Sequence, residues 1–278
     1  MLRRKVLATL LGCVLNSAAV AQTTEPLLQP IFSRYAQTAS KLYLDTTLRY
    51  FEDVQLQEAD DFDGWGLDAE VTYPFRRNMQ LRFVVPLYTE GTAVRTEPPN
   101  QGAEIDIEGN GGTFDFFSVI FEHQVKANTL DNLAYFAGGG TRLEELETST
   151  DDVFNHQGNV ILGGIKFDRY YERQQTQLIV NLGGRYYFSS DDLNPAGGSD
   201  TFFMLEASAA AVFNRWKRVY PVGELVYQGV DFDYNSLLFV PEAIFPVNAG
   251  VSVKLGVPIG LTSDGEQLGL RFRVTAQF

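Results

Sequence analysis

LRFRVTAQF, Leu270 to Phe278, is the stretch whose parity decides how the whole chain is read. Leu270, Phe272, Val274, Ala276 and Phe278 share one parity, while Arg271, Arg273, Thr275 and Gln277 share the other. A period of two puts the apolar set on one face of a strand and both arginines on the opposite face. In a soluble protein a terminal segment usually frays, and a free C-terminal aromatic has little use there. The same pattern suits a strand with lipid on one side and a polar interior on the other.

Working back from this segment, the alternation recurs in segments of about ten residues, the spacing expected of transmembrane β-strands. LYLDTTLRYF sets Leu42, Leu44, Leu48 and Tyr50 against Asp45, Thr47 and Arg49. WGLDAEVTYPF sets Trp65, Leu67, Val71 and Phe75 against Asp68, Glu70 and Thr72. MQLRFVVPLY, FFSVIFEHQV, LAYFAGGGTRL, VILGGIKFD, QLIVNLGGRYYF, FFMLEASAAAVFN, VGELVYQG, LLFVPEAIF, GVSVKLGVPIG and GLRFRVTAQF continue it, making twelve. No stretch of comparable length has helical periodicity. The expected fold is all-β: a single closed antiparallel transmembrane barrel of about 12 strands, spanning 42–278. Pro74, Pro86, Pro221, Pro241 and Pro258 fall within the pattern and are tolerable only at strand ends or irregularities.

The connections alternate between short and long. Short ones are FRRN, KANTLDN, RYYERQQT, NRWKR and FPVN, and they carry Arg76, Arg77, Lys126, Arg169, Arg173, Arg215, Lys217 and Arg218 against only Asp131 and Glu172. The long ones, such as VQLQEADDFDG and EELETSTDDVFNHQ, are strongly acidic, with Arg95 their single base. A soluble sandwich has no reason to sort charge by alternate loops. Short periplasmic turns and longer acidic extracellular loops are the layout of a bacterial outer-membrane barrel. Aromatics gather near both rims, among them Tyr73, Phe75, Tyr170, Tyr171, Phe213, Trp216 and Tyr220 by the short turns, and Tyr50, Tyr88, Tyr186, Phe188 and Phe203 by the long loops.

The opening residues supply the compartment. Arg3, Arg4 and Lys5 precede the apolar run VLATLLGCVL and then NSAAVAQ, the three parts of a secretory signal, so 1–21 is expected to be removed after Ala21. The rival reading takes Leu10-Leu11-Gly12-Cys13 as a lipoprotein box with Cys13 acylated, but that shortens the apolar run and strands a second one. Residues 22–41, with Pro26 and Pro30, are expected to form a short periplasmic leader. Removing three bases and no acids moves the net charge from −13 to −16. So acidic a chain excludes nucleic acid as a partner. With Cys13 the single cysteine and only His123 and His156, neither disulfides nor a Cys/His metal centre are expected, and no cofactor is.

The segments GLDAEVTYPFRRNMQLRFVVPLY, GGTFDFFSVIFEHQV, YPVGELVYQG and LLFVPEAIFPVNAGVSVKLGVPIGL resemble the meta-pathway phenol-degradation transporters, a group of outer-membrane barrels. The resemblance spans about two-thirds of the chain beyond the signal. The family's Gly-Asp and Pro-Gly signatures are replaced here by Phe114-Asp115 and Pro241-Glu242. It implies an outer-membrane transporter of small organic, including aromatic, solutes. Phe278 with its alternating apolar neighbours resembles the signal read by the outer-membrane barrel assembly machinery, which with outer-membrane lipid is an expected partner.

Catalysis is not expected. His123 precedes Gln124-Val125 and His156 precedes Gln157-Gly158, so neither matches the His-x-Ser pair of barrel lipases and deacylases. Asp60-Asp61, Asp151-Asp152 and His156 imitate the rim carboxylates of barrel proteases, yet acidic surface loops are usually simply solvated. The Gly138-Gly139-Gly140, Gly163-Gly164 and Gly183-Gly184 clusters lack a following helix and a Gly-Lys-Ser/Thr, so they are read as bends or seats for aromatic rings rather than phosphate loops. The clustered loop carboxylates lack the ordered spacing of a divalent-cation loop.

Taking the apolar parity as lipid-facing, the interior receives Arg49, Arg82, Arg142, Lys166, Arg185, Lys254, Arg271 and Arg273 together with Asp45, Asp68, Glu70, Glu122, Asp168, Glu206, Glu224 and Glu242. Arg49, Arg82, Arg185, Glu206, Glu224, Lys254 and Arg271 are the candidate pore-lining or solute-binding residues. Two readings compete: a narrow channel whose charges orient a small solute, and a closed structural barrel braced by their pairing. An outer-membrane hydrolase is a third, weaker one.

Overall fold

A computed structural model describes residues 25–54, 59–95, 101–109, 116–128, 130–142, 147–148, 158–188, 201–216, 218–231 and 233–278. The expected signal segment and its cleavage site lie outside these residues, as does most of the long acidic connections. A 3-10 turn, Glu25–Leu28, precedes fifteen strands: β1 (Tyr43–Val54), β2 (Ala59–Arg76), β3 (Met79–Arg95), β4 (Glu104–Gly109), β5 (Phe117–Ala127), β6 (Asp131–Thr141), β7 (Glu147–Thr148), β8 (Asn159–Tyr171), β9 (Thr176–Phe188), β10 (Phe202–Phe213), β11 (Tyr220–Val230), β12 (Tyr234–Asn248), β13 (Val251–Gly256), β14 (Ile259–Gly260) and β15 (Glu266–Gln277). β13 and β14 are two pieces of one stave, and β4 and β7 extend the sheet beside the long β3, so the wall is a closed antiparallel barrel of 12 strands. All twelve segments read from the sequence are strands of this wall.

Closure is made by the C-terminal strand, whose LRFRVTAQF carries the alternation. β15 pairs antiparallel with β1 from Tyr43↔Gln277 to Val54↔Glu266, and the Phe278 amide donates to the Leu42 carbonyl at 3.0 Å. No sheet edge is left along that seam, which is what a barrel in lipid requires, because hydrocarbon offers no partner to a bare backbone group.

The alternation places the side chains as expected. Leu48, Ile161, Leu182, Leu225, Leu255 and Leu270 are exposed on the outer face. Asp45, Thr47, Glu70, Glu122, Lys166, Lys254, Arg271 and Arg273 are buried on the inner one. An apolar belt of that extent is untenable in water and is the lipid-facing surface of an outer-membrane barrel. Tyr220 departs from the expectation: it is buried with Leu28, Tyr35, Ile179, Val212, Val222 and Ile244 instead of joining the aromatic girdle. It shares the inward parity of Val222 and Glu224, and residues of the N-terminal segment cover it.

The prolines mark irregularities. Pro86 lies beside a register shift between β2 and β3. Pro241 lies inside β12, at the level where β13 ends and Val257-Pro258 interrupts the neighbouring stave. The β12 ladder stops at Glu242↔Gly256 and resumes at Phe239↔Ile259, so the missing proline donors coincide with a break already present.

The described part of the expected leader, residues 25–41, runs inside the barrel: Leu27, Leu28, Ile31, Ser33, Arg34, Tyr35, Ala36 and Ala39 are all buried. With two prolines and no periodicity it forms neither helix nor strand beyond the 3-10 turn Glu25–Leu28, and its amides must find acceptors elsewhere.

Candidate functional site

Those acceptors are inward-pointing side chains, and they come from the wall in strand order. Leu27 accepts through its carbonyl from Ser252 Oγ of β13 at 2.7 Å. The Ile31 amide donates to both carboxylate oxygens of Glu242 on β12, at 3.2 and 3.1 Å. Phe32 and Ser33 donate to Glu224 on β11, the former at 3.1 Å. Ser33 Oγ meets Ser208 Oγ of β10 at 2.9 Å. The Arg34 amide donates to Asn181 Oδ1 of β9 at 2.6 Å, and Asn181 Nδ2 returns a bond to the Arg34 carbonyl at 2.8 Å. Ala36 donates to Asp168 of β8 at 2.8 Å, Thr38 to Gln124 of β5 at 3.2 Å, and Ala39 to Gln80 of β3 at 2.7 Å. The segment is therefore a strap wound round the inner wall near the short-turn rim, one side-chain clamp after another. Each such bond is worth about 0.5–1.5 kcal/mol net.

On the long-loop side of the strap lies a cavity of about 510 Å³. Ile31, Phe32 and Arg34 of the strap line it together with the wall. Its polar groups form chains of pairs. Arg34 reaches Glu70 at 2.9 Å and Asp45 at 3.7 Å. Arg82 bridges Glu70 at 3.3 Å and Glu122 at 3.0 Å, and Lys166 holds Glu122 at 2.6 Å. Nearer the long loops, Arg49 pairs with Asp68 at 2.7 Å, Arg185 with Glu206 at 3.0 Å, and Arg271 with Glu266. Phe51, Phe116, Ile120, Phe136, Leu162, Tyr187, Met204 and Leu238 supply apolar lining.

Phe136 has a seat made by two of the glycine clusters. A Cβ on Gly164 or Gly183 would lie 2.7 or 2.9 Å from its ring. The bare backbone of β8 and β9 thus lets the ring lie flat against the wall, with Lys166 Nζ 5.5 Å from its centroid.

Of the residues singled out in the sequence, Arg49, Arg82, Arg185, Glu206 and Arg271 line this cavity. Glu224 and Lys254 are fully buried and do not. Glu224 is a strap clamp. Gln80, Gln124, Asn181 and Ser208 hold the strap and were not singled out. Their signal was available: polar inward positions close to short turns, facing a Pro-containing segment with no partner of its own. His123 points outward, between Asn78 at 2.9 Å and the Tyr135 hydroxyl at 2.9 Å, in the short-turn girdle. Asp151, Asp152 and His156 lie outside the described residues. Among the described residues no group of three His, Cys, Asp or Glu is placed to hold a metal ion.

No protein-family model and no curated protein matches the sequence. Solved structures do. An outer-membrane channel, COG4313, from Pseudomonas putida F1 superposes with a TM-score of 0.59 at 10% identity, covering 90% of this chain and 99% of that one. The translocator domain of the autotransporter NalP from Neisseria meningitidis gives 0.53 at 8% identity, covering 87% and 90%. These likenesses establish the fold, an outer-membrane barrel.

Proposed function

We propose that the protein is an outer-membrane channel for small organic solutes, aromatic ones included, and that the strap is its gate. The observation that carries this is a cavity of about 510 Å³ with mixed apolar and charged lining, floored by a segment held through side-chain clamps. Eight-stranded barrels are filled by their own side chains, whereas sixteen-stranded ones hold open water channels. Twelve strands leave room for a path, and here a strap occupies the short-turn half of it. Likeness to an outer-membrane channel and resemblance to the phenol-degradation transporters support the same reading. No step of the proposal needs a nucleophile or a general base, so catalysis has no part in it.

The closed structural barrel has one observation in its favour, the ion pairs that join Arg49, Arg82, Lys166, Arg185 and Arg271 to lumen carboxylates. The test separates the two readings. Ser33 Oγ and Ser208 Oγ are 2.9 Å apart, so S33C with S208C ties the strap to β10 by a disulfide. Cys13, the single cysteine, lies in the expected signal, so no other thiol competes. In planar bilayers the oxidised protein should conduct less than the wild type, with recovery on reduction. Equal conductance in both redox states would remove the strap from the gate, and an absence of conductance in the wild type under all conditions would favour the structural reading.

A further inference from the structure

Two of the lumen charges without an ion pair are cations that meet on neighbouring strands. Arg273 on β15 and Lys254 on β13 face each other directly across the ladder. Both are at least nine-tenths buried, and neither makes an ion pair with a described residue. Arg273 Nε donates to Thr47 Oγ1 at 2.8 Å, but among the described residues its Nη1 has no hydrogen-bond partner, and neither has Lys254 Nζ. Like charges directly opposite on a sheet repel, and a buried cation without a counter-ion is costly. Two carboxylates face the pair, and both are engaged. Asp45 also serves Arg34 and accepts from Thr275. Glu242 takes the Ile31 amide on both oxygens.

The cavity that Arg273 lines shares this imbalance. Seven cationic side chains border it, Lys166 and six arginines, against four carboxylates, Asp68, Glu70, Glu206 and Glu266. Phe32, Phe51, Leu238 and Tyr187 border the same space and give an apolar body somewhere to lie.

We infer that the cavity binds a small organic anion, a single carboxylate on an apolar body about the size of an aromatic ring, with the carboxylate on Arg273. A guanidinium not already paired with a carboxylate suits an incoming carboxylate better than a neutral hydroxyl, and it rejects an ammonium. The anion offsets the positive charge that Arg273 and Lys254 concentrate beside the cavity, and its ring replaces water against the apolar lining. This deepens the channel reading by naming the class of solute, and it rests on that reading only in taking the cavity to lie on the solute's path.

The experiment is titration calorimetry on the full chain in detergent with three probes of equal size: benzoate, benzyl alcohol and benzylammonium. Benzoate should bind at least about tenfold more tightly than either of the others, the range of one charge-assisted contact. Arg273→Gln should abolish that preference, and Arg273→Lys should keep part of it. Equal binding of all three probes, or no binding of benzoate, would overturn the inference in the wild type alone, whatever the variants do. So would an unchanged benzoate affinity in a correctly assembled Arg273→Gln. Binding is read here without transport, so a failure of the gate in bilayers and a failure of the anion site remain distinct results.

Discussion

Arg82 and Arg185 look alike in the sequence, each an inward arginine near mid-strand, yet the structure separates them. Arg82 lies between the buried Glu70 and Glu122, at the centre of a chain that continues to Arg34 and Lys166. Removing it leaves two buried carboxylates short of a partner, and breaking such a pair typically costs about 3–5 kcal/mol. Arg185 shares a single pair with Glu206, and both side chains keep over a quarter of their surface. Such a pair is worth about 1 kcal/mol or less. Arg82→Ala should therefore lower the temperature at which the barrel loses its heat-resistant gel mobility. Arg185→Ala should leave it nearly unchanged while altering conductance. The reverse pattern would place the constriction at Arg82 and the brace at Arg185. Inward parity was legible from the sequence at this scale. Which inward charges pair was not, because that depends on neighbours supplied by other strands and by the strap.

At the scale of elements, the strands were legible and the strap was not. A β-strand in lipid announces itself by a period of two, since its two faces meet different solvents. The strap meets one environment, the inside of the wall, and its order comes from backbone amides, which every residue has. Glu224 holds it through the Phe32 and Ser33 amides, and Glu242 through the single Ile31 amide, on neighbouring strands β11 and β12. Glu224→Ala with Glu242→Ala should loosen the strap's first half and raise conductance in bilayers, and the tie between Ser33 and Ser208 should reverse the rise when both are combined. No change would show that Asn181, Asp168, Gln124 and Gln80 suffice. The terminal strand gives a separate expectation. Phe278 lies on the outer face, 69% exposed, beyond the last rung of the closing pair. Deleting it should slow assembly into the outer membrane while leaving export and the finished barrel's stability intact. Normal levels of assembled protein after pulse-labelling would withdraw its role as an assembly signal.

At the scale of the whole molecule, wall and strap are separable in structure, which makes a prediction about energetics. The seam between β1 and β15 is closed by its own ladder, from Tyr43↔Gln277 to Val54↔Glu266, and the outer apolar belt belongs to the wall alone. The strap contributes the burial of Leu27, Leu28, Ile31, Tyr35 and Ala39 and the clamps that hold its amides. Without it the clamps face a lumen wide enough for water, and water accepts and donates in place of the lost amides. A chain lacking residues 25–41 should therefore still reach the outer membrane, still resist unfolding in cold detergent, and conduct far more than the wild type. Its conductance should also be insensitive to Glu224→Ala with Glu242→Ala, because the strap those side chains clamp is gone. If the shortened chain failed to assemble, the strap would be part of the folding core, and the clamps would have to be read as a scaffold around which the wall closes.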